Sequence, residues 1–198
     1  HAPQAIARDP VRQSKRMSDM NNSLRHLGHG MLLASVIFLL GGCAAPPRIS
    51  VQPAAPPLVM EDFFAATVEG EGVFTNSWTG AERRFQVVIA GSWDGRELIL
   101  VEDFDYVDGE KDRKTWRLQR QGPGSFTGTR EDVIGEARAW TEDGRVRLEY
   151  SVKLGGWTVD FADLLALRAD GSLLNRATVG KWGVRLGRVE LVLRKRPS

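Results

Sequence analysis

The carboxylates of this chain are the first place to look for chemistry. Glu102, Asp103, Asp105, Asp108 and Glu110 form its densest acidic stretch. Their spacing departs from a calcium loop: the aspartates miss positions 1, 3 and 5, and Lys114 stands where the bidentate glutamate belongs. Alternation with Phe104 and Tyr106 suits a strand running into the Asp108-Gly109 turn instead. Asp132, Asp160 and Asp163 could pair for general acid–base work. Asp160 and Asp163 sit on opposite parities of one strand, so they face opposite sides of it. Asn175, Arg176 and Lys181 form a polar group in the Gly-rich NRATVGKWG segment, read either as an anchor for an anionic head group or as a structural network. Histidine occurs only as His1, His26 and His29, and the single cysteine is Cys43. Beyond Cys43 this excludes Ser-His-Asp and Cys-His nucleophiles and zinc or copper sites built on His and Cys. No catalytic residue, metal ligand or cofactor is assigned.

Cys43 follows an apolar run, MLLASVIFLL (31–40), and precedes Ala44 and Pro46. At about 1.5 Å per residue a ten-residue helix spans about half the hydrocarbon core, short for a transmembrane helix and right for the h-region of a secretory signal. Arg25, His26 and His29 supply its polar flank. Leu40-Gly41-Gly42-Cys43 resembles the lipobox of bacterial lipoproteins. That resemblance implies cleavage before Cys43, acylation of its thiol and amine, and attachment to a membrane through the acyl chains. Ala44 in place of aspartate points to the outer membrane, with the domain facing the periplasm. Residues 1–16 read as an upstream extension, with Met17 or Met20 a start of more usual position, and 17–42 as the signal peptide. Residues 43–59 read as acylated cysteine and tether, because 44–57 carry five prolines in fourteen residues.

The domain is expected over 60–198. Five of the 27 basic and two of the 25 acidic residues precede Cys43, leaving 22 against 23. A net charge of −1 without a basic face gives no footprint for nucleic acid.

Turn pairs recur at Asp94-Gly95, Asp108-Gly109, Asp143-Gly144, Gly155-Gly156 and Asp170-Gly171. Between them run segments of period two. In 145–154, Val146, Leu148, Tyr150, Val152 and Leu154 share one face, and Arg145, Arg147, Glu149, Ser151 and Lys153 the other. Similar runs fall at 68–75, 83–90, 97–106, 113–120, 124–130, 135–141, 157–168, 172–178 and 186–195. The expectation is an all-β, antiparallel up-and-down meander closing into a lipocalin-like (calycin-like) barrel of about 8–10 strands, with a β-sandwich as the alternative. A helical turn at 60–66 would pack over one end. Trp116, Tyr150 and Trp157 lie on strands and could line a cavity, with Asp163, Asn175, Arg176 and Lys181 as further candidate ligand contacts.

The ordered set EDFF (61–64), GVF around Gly72, RRFQVVIAGSWDG (83–95), LVEDFDYVDGEKDRKTWRL (100–118), GTREDVIGEA (128–137) and NRATVGKWGVRLGRVELVLRK (175–195) resembles an uncharacterised family of bacterial lipoproteins, domain of unknown function 3833. Near 161–165 that family's pattern carries two acidic residues and a tryptophan, of which this chain keeps Asp163. The resemblance implies an outer-membrane-type lipoprotein of unknown activity, and the company the family's genes keep with lipid-modifying enzymes points to a lipid-related role. The expected function is binding or transfer of a lipid or fatty-acyl ligand. The alternatives are an accessory enzyme of lipid modification and a non-catalytic envelope scaffold.

Overall fold

The structure, a computed structural model, describes residues 55–154 and 156–197. Cys43, the apolar run before it and most of the expected tether lie outside the described residues. One short helix, α1 (Met60–Phe64), is followed by ten strands: β1 (Thr67–Asn76), β2 (Glu82–Trp93), β3 (Glu97–Tyr106), β4 (Lys111–Gly122), β5 (Ser125–Thr129), β6 (Val133–Glu142), β7 (Arg145–Leu154), β8 (Trp157–Leu167), β9 (Leu173–Lys181) and β10 (Val184–Lys195). Each pairs antiparallel with its chain neighbour, and β1 pairs with β10 from Val68↔Lys195 to Asn76↔Gly187. The sheet is a closed barrel, so among the described residues no strand edge is left for another chain to extend. The meander is the expected one, and the sandwich alternative falls away.

Parity decides which side chains enter the lumen. On β7, Val146, Leu148 and Val152 are buried while Glu149 and Lys153 are exposed. On β3, Leu98 and Leu100 are buried, with Glu102, Phe104 and Tyr106 following on the same face. The register carries this pattern from strand to strand: Leu100 lies opposite Trp116, and Tyr150 opposite Phe161.

An up-and-down barrel puts alternate hairpins at opposite ends. One end is plugged. The backbone N–H of Leu58 donates to the Gly144 carbonyl in the β6–β7 turn (2.8 Å), and the chain then crosses into α1. Leu58 is 1% exposed, and Met60, Phe63 and Phe64 join the same core. The packed domain thus begins two residues before the expected boundary, because Leu58 closes the barrel floor. The plug is fixed at its edges. Glu61 pairs with Arg120, and Lys195 Nζ donates to the Asp62 carbonyl (2.8 Å). Gly91 on β2 has its backbone against α1: a Cβ there would sit 1.7 Å from the Phe64 carbonyl oxygen. Only glycine permits that approach.

Candidate functional site

The lumen above the plug is hollow. A cavity of about 580 Å³ runs from Met60 and Phe64 at the floor to Lys153 and Leu154 near the opposite end. Ten strands leave room for such a space, and the volume falls in the range of small-molecule sites. Most of its wall is aliphatic or aromatic, including Phe85, Leu100, Trp116, Leu148, Phe161 and Leu191. The aromatic wall falls in two groups: Tyr150 stacks on Phe161 (centroids 5.0 Å, 9° between planes) and meets Trp116 edge-on (5.0 Å). Phe85 contacts Phe104 and Tyr106, each at 5.7 Å.

A polar belt crosses this wall. Arg130 leaves the end of the short β5 and turns inward, with its side chain 12% exposed. Its Nε and Nη2 donate to the two Asp132 oxygens (2.8 and 3.3 Å), and Nη1 reaches Glu102 Oε2 (3.5 Å). The guanidinium also covers the Trp116 ring (4.7 Å) and the Tyr150 ring (5.3 Å). Lys114, opposite Glu102 in the register, pairs with Asp112 (3.1 Å) and Asp132 (3.8 Å). On β8 and β9, Asn175 Nδ2 donates to Asp163 Oδ2 (3.0 Å). Asp163 Oδ1 and Asn175 Oδ1 are buried without a partner among the described residues.

Burial pushes the Asp163 carboxyl up to about 7, outweighing the Asn175 hydrogen bond and the charge of Arg130. Burial also pushes Glu102 up to about 7, opposed by Arg130 and reinforced by Asp163. The Tyr150 hydroxyl is raised well above its ordinary value, again mainly by burial. Such a belt can orient a polar head group within an apolar lumen, and near neutral pH its carboxyls can hold or release protons.

Of the residues singled out in the sequence, Trp116, Tyr150, Asp163 and Asn175 line the cavity together. Trp157 and Lys181 do not. They stand at the top of β8 and β9, where the Lys181 ammonium lies 3.8 Å from the Trp157 ring centre and 4.4 Å from that of Trp182. Arg176 is excluded by parity: it lies between Asn175 and Ala177, which both line the cavity, and its Nε pairs with Glu190 of β10 (2.8 Å). Asn175, Arg176 and Lys181 are therefore three separate environments. Asp160 also faces outward, accepting from Ser151 Oγ (2.6 Å). The acidic stretch after Glu102 is occupied by ion pairs: Asp103 with Arg113, Asp105 with Lys111, and Asp108 and Glu110 with Arg83. Among the described residues no group of three or more His, Cys, Asp or Glu is placed to hold a metal ion.

The open end carries a crown of exposed apolar side chains. Trp78, Val107, Ile134, Leu154 with Trp157, and Trp182 with Val184 lie in the five connections at that end or on the strand ends beside them. Trp182 is 84% exposed and adopts φ 51°, a left-handed conformation costly for a bulky residue. Together with Gly183 (φ 76°) it forms the two-residue turn from β9 to β10.

Fold and lumen define the class: a closed, hollow, antiparallel β-barrel with a polar belt inside. The chain belongs to the family described as protein of unknown function (DUF3833), whose profile matches residues 37–195. No curated protein matches it. Among solved structures, the crystal structure of Rv2717c from M. tuberculosis is similar with a TM-score of 0.49 and 15% identity, over 68% of this chain and 93% of that one. A de novo designed fluorescence-activating β-barrel is similar with a TM-score of 0.38 and 12% identity, over 69% of this chain and 96% of that one.

Proposed function

We propose that this chain binds one lipid or fatty-acyl molecule in its barrel and hands it on, while an acylated Cys43 tethers it to a bacterial membrane, the outer membrane facing the periplasm. The observation that carries the reading is the apolar, aromatic-walled cavity of about 580 Å³. An empty apolar space of this size is costly unless something fills it. The crown of Trp78, Trp157 and Trp182 at the open end supports exchange with a lipid surface, since tryptophan favours that interface. The lipobox-like LGGC and the short apolar run before it support the tether. A second reading, an accessory enzyme of lipid modification, is favoured by two lumen carboxyls raised to about 7, Glu102 and Asp163.

Blocking the lumen tests the carrier reading. Ala177 on β9 is buried and lines the cavity. The wild-type chain is expected to take up one equivalent of an apolar dye such as Nile red with saturation. Ala177→Phe is expected to lose that uptake while keeping the β-sheet circular dichroism spectrum. Unchanged uptake in the variant, or no saturable uptake by the wild type, would contradict a ligand-binding lumen.

A further inference from the structure

The cations and acceptors of the lumen are not equally occupied. Arg130 spends its fork on Asp132 and Glu102, and Lys114 lies between Asp112 and Asp132. Arg83, nearer the mouth, is held by Asp108 and Glu110. An incoming carboxylate or phosphate would have to share its cation with carboxylates already paired to it. On the opposite wall the balance reverses. Asp163 is 6% exposed, and its Oδ1 has no donor among the described residues; neither has Asn175 Oδ1 beside it. Asp163 and Asn175 both line the cavity, and the one hydrogen bond between them uses the other carboxylate oxygen and the amide nitrogen. Buried polar atoms are nearly always paired, so two adjacent orphan acceptors define a position for donors that the described chain does not provide.

We infer that the ligand carries a hydrogen-bond-donating head, a hydroxyl or amide rather than a carboxylate or phosphate, seated against Asp163 Oδ1 and Asn175 Oδ1 with its apolar body along the aromatic wall. This rests on the carrier reading and narrows it to a class of amphiphile. The head selects by what it gives. An ester of the same chain length only accepts, and leaves both oxygens unpaired; an anion adds repulsion to the same loss. The apolar wall of Trp116, Tyr150 and Phe161 holds the tail irrespective of the head.

Four probes with one tail separate head from tail: oleyl alcohol, oleamide, methyl oleate and oleate, each displacing Nile red from the full chain at about pH 8, above the value to which burial raises Asp163. The alcohol and the amide are expected to displace the dye at concentrations about tenfold or more below those of methyl oleate and oleate, the scale of one to two hydrogen bonds made rather than lost. The double variant Asp163→Leu, Asn175→Leu, which removes both acceptors and their mutual bond, is expected to bring the four compounds together, weakening the donors and relieving the unpaired-acceptor and charge penalties on methyl oleate and oleate. Equal displacement by all four in the wild type, or oleate as the tightest, would overturn the head-group inference and leave the carrier reading standing. A dye that never enters the lumen would bring down the carrier reading, and this inference with it.

Discussion

Arg130→Met is expected to lower the unfolding free energy by about 3–5 kcal/mol at about pH 8, the cost of leaving buried charge without its partner. Among the described residues Arg130 is the one cation that pairs with both Glu102 and Asp132, and all three side chains are largely removed from water. Removing it leaves Glu102 without its ion-pair partner and Asp132 with Lys114 alone, at 3.8 Å. Arg130→Lys is expected to restore only part of the loss, because an ammonium cannot reproduce the fork that grips both Asp132 oxygens. Neutralising the partners is the sharper control. The triple variant Arg130→Met, Glu102→Gln, Asp132→Asn removes the stranded charges together with their cation, and is expected to recover more than half of the stability. Urea unfolding of the four chains reads this directly. A loss below about 1 kcal/mol for Arg130→Met would mean that the belt is solvated like a surface ion pair.

The second large effect is in the pH dependence of stability. An unfolded aspartate titrates near 3.8, whereas Asp163 in the barrel titrates at about 7. Between those values the folded chain holds the proton more firmly than the unfolded chain. The contribution of Asp163 is therefore complete below about pH 4, decreases as pH rises through the window, and levels off above about pH 7. A difference of this size corresponds to about 4 kcal/mol for this group. Glu102 acts in the same direction, from 4.5 to about 7. The surface carboxylates behave oppositely. Arg113 holds Asp103 below its ordinary value and Arg83 does the same for Asp108, so their contributions are lost as pH falls. A difference between chains isolates the lumen. Asp163→Asn is expected to be clearly more stable than wild type at about pH 8 and to approach it at about pH 4. Equal stability differences at both ends would contradict a buried, protonatable Asp163.

The fold was legible because its signals are local and repeated. Period-two runs such as Val146 to Leu154, separated by Asp-Gly and Gly-Gly turns, dictate strands and hairpins, and a ten-strand meander must close to lose its edges. The same parity places Asp163 and Asp160 on opposite sides; strand position offers Trp116, Tyr150 and Trp157 for a cavity wall, and Trp157 instead stands exposed at the start of β8. Parity also separates Arg176 from Asn175, but reading NRATVGKWG as one polar hairpin obscured that: Asn175 and Arg176 are in mid-strand, and only Lys181 borders the turn. The polar belt was harder to see. Glu102 shares its parity with Leu98, Leu100, Phe104 and Tyr106, and Lys114 shares its parity with Trp116 and Leu118, so alternation alone could have placed both inside. Grouping Glu102 with the acids of the following hairpin hid it. Arg130 had no such signal. It sits beyond Thr129, where β5 ends, and its inward turn depends on Asp132, Glu102 and Trp116, which tertiary closure brings together.

The central claim is that the barrel carries a ligand, and native mass spectrometry of the chain purified from its own host tests it most directly. The expected result is a one-to-one adduct in the lipid mass range, absent from Ala177→Phe. A clean unliganded mass that persists after incubation with a total lipid extract of that host would contradict the claim.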